Sequence, residues 1–439
     1  MNVIYMHTHD TGKWIEPYGQ NARTPNLMKL AKEGTIFRKA FCAAPTCSPS
    51  RAALLTGMTP HSSGMLGLAH RGFQLNNYDQ HLVQYLNSNG YETVLCGIQH
   101  EAEAVESLGY RRILDNQNYD MGDFDKDWTE FDKGNAQQVA SFLNESHEEP
   151  FFLSFGMFNT HREFPQVDSD IDLNYVAAPY QLHDNKENRL EMARFLSSVR
   201  VVDDCVGIVM NAIKESGHEK DTLIIFTTDH GPAFPFMKCN LYDEGIGVSL
   251  IIRHPDADQA PKAFDGLISH IDLFPTLCDL LNLEHPDWLQ GVSFSSIFKG
   301  NPEKVREELF SEVTYHAAYE PSRSIRTERY KYIRYFDDDL NIAGANIDDS
   351  HSKTFLIENG FLNMHREREQ LFDLYLDPME RTNLVNDRAY HQVFMQMSQR
   401  LHEWMVKTND PLLSGQVLKP EGAIVNRRSA ISPNSDDFE

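Results

Sequence analysis

Short apolar runs alternate with longer amphipathic stretches through the first 300 residues. Residues 3–6 (VIYM) are apolar and brief, the mark of a buried strand, and residues 24–34 place Leu27, Leu30 and Ala31 at helical spacing before Gly34. Residues 81–89 predict a second helix, with a strand over 92–96. The continuous apolar run 150–158 predicts a central strand, and residues 188–216 a long amphipathic helix. Strands over 222–228 (TLIIFTT) and 248–253 follow, then a helix over 272–281. Such alternation predicts an α/β fold: a large, mostly parallel sheet flanked by helices, over residues 1–300. Beyond Gly300 the texture changes. Residues 308–313 and 330–335 are strand-like, with the basic Arg326-Thr327-Glu328-Arg329 between them, and a strand-like 370–375 and a helix around 392–404 follow. These predict a smaller C-terminal α+β subdomain over 301–411. From residue 412 to 439 the chain is polar and irregular, a tail that wraps the body or caps a neighbour, as the swapped arm of a homodimer does.

Composition narrows the classes. Of 439 residues, 41% are apolar, enough for a sizeable core and too many for global disorder. No apolar run approaches the roughly 20 residues of a membrane span, and the start shows no basic segment leading into a long apolar one. Six cysteines stand without C-x-x-C spacing, so neither a disulfide scaffold nor a zinc finger is indicated, and a cytoplasmic location is expected. A net charge of −24 opposes nucleic-acid and anionic-membrane partners. An anionic small molecule would need a local cluster of cations or a metal.

Three stretches carry candidate chemistry. In Cys47-Ser48-Pro49-Ser50-Arg51, followed by AALLTG, a cysteine opens an apolar helix beside an arginine. It is either a thiol packed behind the helix or a nucleophile in a positive field that lowers its pKa and attracts anions. His9-Asp10 follows the first strand, and Asp229-His230-Gly231 follows the strand 222–228, the ends at which open α/β sheets bind ligands. Asp229 reads as a helix cap or a metal ligand, and His9 as a ligand or a pocket-lining side chain.

CSPSRAALLTG resembles the sulfatase signature, C-x-P-S-R followed by x-x-L-L-T-G, with every defining position matched. The resemblance implies an alkaline phosphatase/sulfatase-like fold and the oxidation of Cys47 to formylglycine, whose hydrated aldehyde is the nucleophile. Sulfatases usually carry two adjacent aspartates where this chain has His9-Asp10, so Asp10, Asp229 and His230, with His9 as a departure, are the implied ligands of a divalent metal. Ca²⁺ is the family's common ion, an imidazole ligand shifts preference toward a metal that accepts nitrogen, such as Mn²⁺, and Mg²⁺ stays open. Lys238-Cys239-Asn240-Leu241-Tyr242-Asp243-Glu244-Gly245 looks like the family's K-x-x-x-Y-[DE]-x-G stretch, in which the lysine grips sulfate. The run from Pro150 ends at His161, where the family places a substrate-binding histidine. Gly97-Ile98-Gln99-His100 matches the family's G-K-x-H except that Ile98 replaces the lysine, which leaves one cation missing unless Arg71 or Arg162 supplies it. Farther on, the order of Glu312–His316, Ser324–Ile333 and Glu369–Pro378 resembles the branch containing heparan N-sulfatase, with His316 a candidate substrate contact. The resemblance runs from Asn2 to about Pro411.

The implied reaction is hydrolysis of a sulfate ester or N-sulfate. Arg51 supports the formylglycine, Lys238 or His161 protonates the leaving group, and His100 takes the proton that frees sulfate. The implied partners are a small sulfated substrate, with a saccharide as one candidate, and a formylglycine-generating maturation enzyme. A phosphonate monoester or phosphodiester hydrolase of the same superfamily is the rival reading, and a catalytically inactive sulfatase-like binding protein is another.

Overall fold

The computed structural model describes residues 1–114, 126–301 and 304–439. Eight strands build the main sheet: β1 (Asn2–Thr8), β2 (Thr35–Phe41), β3 (Glu92–Gly97), β4 (Arg112–Ile113), β5 (Phe151–Gly156), β6 (Thr222–Thr228), β7 (Leu250–Arg253) and β8 (Ala263–Ser269). Their order is β4-β3-β5-β1-β6-β7-β2-β8. All neighbours run parallel except β7, which is antiparallel to both β6 and β2. In β1, Val3 and Tyr5 join one buried cluster while Ile4 and Met6 join the cluster on the opposite face. In β6, Leu223 and Ile225 separate from Ile224 and Phe226 in the same way. A strand covered by helices on both faces has no polar side, and so it reads as a continuous apolar run.

Sequence periodicity missed β2 and β8. β2 carries Arg38 and Lys39, β8 carries Asp265, and Arg38 and Asp265 pair at 3.0 Å in solvent near the sheet's edge. Edge positions tolerate charge, which breaks the apolar run that marks a central strand. The helix Trp128–Leu143 also went unpredicted. The long helix Lys186–Glu215 packs against it.

A second sheet follows in antiparallel order β12-β11-β10-β9, formed by β9 (Glu308–Tyr315), β10 (Tyr319–Thr327), β11 (Tyr330–Tyr335) and β12 (Glu369–Asp373). The basic stretch read as a link between two strands lies partly in β10, whose residues Tyr319–Arg326 are all buried. The helix His391–Lys407 covers this sheet through Met397, Leu401 and Met405. After it the tail makes no long helix or strand, yet Val425 and Asn426 are fully buried. The tail lies along its own chain, with the Asn426 N–H donating to the Ala317 carbonyl at 2.7 Å. Among the described residues no helix is long and apolar enough to cross a membrane, and all six cysteines are buried.

Candidate active site

One row of paired backbone positions, Gly97↔Gly156↔His7↔Thr227, crosses four adjacent parallel strands near their carboxyl ends. Everything that follows this row emerges at the same edge: His9-Asp10 after β1, Asp229-His230 after β6, His161 after β5 and His100 after β3. The strands approach closely here. A Cβ on Gly156 would lie 1.8 Å from the Ile98 carbonyl oxygen, and one on Gly97, at φ +80°, would lie 2.1 Å from the Gly156 oxygen. Only glycine fits either place.

Two loops lock together at this edge. The Asp229 carboxylate accepts from the N–H groups of Asp10 and of His230, each at 2.8 Å, and Asp10 takes the left-handed backbone conformation, φ +50°, that non-glycine residues seldom adopt. Across the gap the fully buried helix Cys47–Thr56 starts with Cys47, and its Ser50 hydroxyl donates to the Asp229 carbonyl at 2.6 Å. The ligand-type atoms of His9, Asp10, Cys47 and Asp229 consequently lie within 4.8 Å of one another. His230 Nε2 is 3.4 Å from both Cys47 Sγ and Asp10 Oδ1, and its Nδ1 is 2.9 Å from the Gly231 carbonyl.

Both ring nitrogens of His9 and Oδ1 of Asp10 are buried without a hydrogen-bond partner. Buried polar atoms rarely stay unpaired. Two carboxylates with an imidazole form a donor set that a divalent cation fits. Burial, with Arg51 adding, holds the His9 ring well below the usual imidazole range, so it stays neutral, as a ligand must be. For Asp229, burial works against the carboxylate, but His230 and Arg51 outweigh it and keep it ionised. Arg51 donates to Asp229 Oδ2 at 3.0 Å and to the Thr8 carbonyl at 2.8 Å, which ties the helix to both strand ends.

The thiol itself departs from expectation. Burial, reinforced by Asp10 and Asp229, pushes Cys47 well above the ordinary cysteine range despite Lys238 and Arg51. The helix N-terminus and arginine do not produce a ready thiolate, because desolvation and two carboxylates win.

Cys47 opens onto a cavity also lined by His70, Arg71, His100, His161, Lys238, His316 and Asp348, with Pro433 and Asn434 of the tail on its wall. Lys238 bridges Asp10 at 3.0 Å and Asp348 at 2.9 Å. Burial opposes its charge, but these two carboxylates overcome it and raise the amine well above its usual value. His161 Nδ1 is 2.5 Å from the Arg162 carbonyl, to which it donates, so Nε2 is the nitrogen left for a ligand. His100 Nε2 shares a proton with His70 Nδ1 at 2.8 Å across stacked rings, and its buried Nδ1 has no partner. The Nδ1 of His316 is likewise buried and unpartnered. Burial lowers all three of His100, His161 and His316, which stay neutral at pH 7.

Cys47, His100, His161, Lys238 and His316 thus share one cavity, with His9, Asp10, Arg51, Asp229 and His230 packed behind it. Ile98 leaves no gap in that wall, since its side chain packs with Trp128 and Phe158 away from the cavity. Of the two proposed replacements for a lysine there, Arg162 is taken by Glu191 at 2.6 Å. Asp348 and His70 escaped sequence reading. Asp348 sits among ordinary acidic residues in NIDDS, and only the fold brings it to Lys238, 110 positions earlier.

The family model "Sulfatase" matches residues 2–283, and the model "N-sulphoglucosamine sulphohydrolase, C-terminal" matches residues 231–349. The chain is 26% identical to the human N-sulphoglucosamine sulphohydrolase, covering 98% of this chain and 93% of that protein. It is 24% identical to a Delta 4,5-hexuronate-2-O-sulfatase of Bacteroides thetaiotaomicron, covering 94% and 90%. Among solved structures, a 2-O glycosaminoglycan sulfatase matches with a TM-score of 0.72 at 21% identity, over 99% of this chain and 97% of that one. A protein solved with its substrate D-glucosamine-2-N,6-O-disulfate matches at 0.72 and 18% identity, over 93% and 98%. The first family model spans the entire main sheet and every loop at its carboxyl edge, and the chain belongs to the sulfatase family of sulfuric ester hydrolases.

Proposed function

We propose that the protein hydrolyses a sulfate ester or N-sulfate of a saccharide, with Cys47 oxidised to formylglycine and a divalent cation held by Asp10, Asp229 and His9 beside His230. The observation that carries this reading is the approach of Cys47 to those ligand atoms, all within 4.8 Å. The cation would supply positive charge to the sulfate oxygens, and the oxidised side chain a hydroxyl nucleophile. The chain's own residues do the rest. Lys238 keeps its proton, since Asp10 and Asp348 use two of its N–H donors and the third remains for the sulfate and the departing atom. His161 presents Nε2 to the substrate, and His100 offers Nδ1 as proton acceptor with His70 behind it. Arg51, buried against Asp229, orients the carboxylate rather than the substrate. A bound cation would supply the local positive charge that an anionic substrate needs against the overall charge of −24.

The saccharide is supported by the relatives, which act on N-sulphoglucosamine and on hexuronate 2-O-sulfate by their names. Calcium is the first ion to try, with Mn²⁺ beside it because His9 adds nitrogen to the set, and Mg²⁺ as an oxygen-preferring control. The test is sulfate release from an aryl sulfate and from glucosamine N-sulfate, against hydrolysis of an aryl phosphonate ester, by protein matured with a formylglycine-generating enzyme. Sulfate release together with aldehyde mass at residue 47 is the expected result. A much larger kcat/KM on the phosphonate overturns the substrate class. Unmodified thiol in the native host would make the protein a binding module.

A further inference from the structure

Three cations line the cavity: Arg71, Arg162 and Lys238. Arg162 is neutralised by Glu191 and Lys238 by two aspartates. Arg71 is different. Its Nη1 donates to Asn426 Oδ1 at 2.7 Å and to the Ala317 carbonyl at 3.5 Å, and its Nη2 donates to the Pro433 carbonyl at 2.7 Å. All three acceptors are neutral, and among the described residues no carboxylate pairs with it; burial alone shifts it, downward. These bonds use three of the five guanidinium donors, which leaves Nε–H and one Nη2–H for a ligand. A half-buried guanidinium without a paired carboxylate carries a desolvation cost that an anionic ligand would relieve.

The side chain is also held in place before any ligand arrives. Asn426 is fully buried, fixed by its N–H to the Ala317 carbonyl at 2.7 Å and by its side-chain amide to the Ser435 carbonyl at 2.8 Å. Every anchor of Arg71 belongs to the tail or to the turn between β9 and β10, and none to the sheet edge that carries Asp10 and Asp229. The reacting sulfate has its own cation in Lys238, which reaches Asp10 directly. With Lys238 serving the reacting sulfate, the remaining donors of Arg71 are available to another part of the substrate in the same cavity.

We propose that Arg71, braced by the C-terminal tail, is a specificity residue that binds a second oxyanion, a sulfate or a carboxylate, on the leaving group of the same substrate. This deepens the sulfatase reading and rests on it. A fixed, planar pair of N–H donors suits an oxyanion held by two parallel bonds.

Binding tests the subsite without turnover. Full-length protein carrying Cys47→Ala, in calcium buffer, is titrated calorimetrically with glucosamine N-sulfate and with glucosamine N,6-disulfate. The expected result is roughly tenfold tighter binding of the disulfate. Adding Arg71→Ala should abolish that preference, and adding Arg71→Lys should retain part of it. Arg71→Gln, which can still reach the neutral acceptors of the tail, should lose the preference while keeping the melting temperature. Equal affinity of the Cys47→Ala protein for both saccharides, equal weakening of both by Arg71→Ala, or no binding of either overturns the proposal. Sulfate release by the matured enzyme from either saccharide is measured in parallel. It separates failure of the subsite from failure of the sulfatase reading.

Discussion

Lys238 is the cavity lysine on which two carboxylates converge. It stands between Asp10 and Asp348, and its removal leaves two buried carboxylates facing the sulfate. Lys238→Ala should lower kcat for sulfate release on the order of 10²-fold, the loss typical of one preorganised charge contact, as read by steady-state kinetics with a circular-dichroism check of folding. Buried histidines govern a separate property. Burial pushes His81 down to about 3, and it pushes His270 down to about 3 with Asp229 opposing. A group whose pKa is depressed by folding contributes stability above its unfolded value, about 6.5 for histidine, and that stability is lost as pH falls toward the folded value. Stability should therefore fall between pH 6.5 and pH 5, by up to about 1.4 kcal/mol per pH unit for each such ring, read as a lowered melting temperature. His81 caps the helix Leu82–Ser88 by accepting from the Val83 N–H, so His81→Asn keeps a capping side chain while removing one titrating ring. It should flatten the slope. Asp229 and Asp348, both depressed, add their loss only below about pH 4.

Two element-level joints hold the site's geometry. Where β3, β5 and β1 converge, Gly156→Ala would force a Cβ against the Ile98 carbonyl and the His7 ring. A cost of about 3 kcal/mol, seen as a shifted urea midpoint, is the expected outcome, along with lost activity because His9 and His161 follow these strands. The second joint ties the sheets together. His61 Nδ1 lies 2.5 Å from Glu312 of β9, and Arg323 of β10 lies 2.5 Å from Asp410, beyond the helix His391–Lys407. Among the described residues these buried groups include three that could hold a metal, but Arg323, 3.7 Å from Glu312 and paired with Asp410, already supplies the positive charge. Arg323→Met would strand Asp410 and Glu312 and should destabilise the protein by about 3–5 kcal/mol in equilibrium unfolding.

Across the whole molecule, a cation taken up by the donor set at the sheet edge would couple metal binding to stability. The His9 nitrogens and Asp10 Oδ1 are buried without hydrogen bonds, so a bound cation would relieve that cost. At an ion concentration 100 times its Kd, the folded state should gain about 2.7 kcal/mol, which appears as a raised melting temperature reversed by chelator. Asp229→Asn should remove the rise. If its protein melts with the same calcium shift as the unsubstituted chain, the ion binds elsewhere. The tail belongs to the same unit, since it buries Val425 and Asn426 and supplies two of the acceptors that hold Arg71.

Strands of continuous apolar residues, the long amphipathic helix and the signature at Cys47 were legible in the sequence because each is a local pattern of period or spacing. The same holds for Asp10 and Asp229, which announce themselves by ending buried strands. β2 and β8, near the edge of the main sheet, and β10, inside the second sheet, were not legible, because charges whose partners lie far along the chain, such as Asp265 for Arg38 and Asp410 for Arg323, make sense only once neighbours are known. Tertiary structure alone decided the environment of Cys47, where two carboxylates and burial reverse the effect of a helix N-terminus. It also decided that Ile98 leaves no hole, that Arg162 is consumed by Glu191, and that Asp348 and Arg71 reach the cavity. A side chain's charge can be read from one position, but whether that charge is cancelled depends on groups brought together from hundreds of residues away.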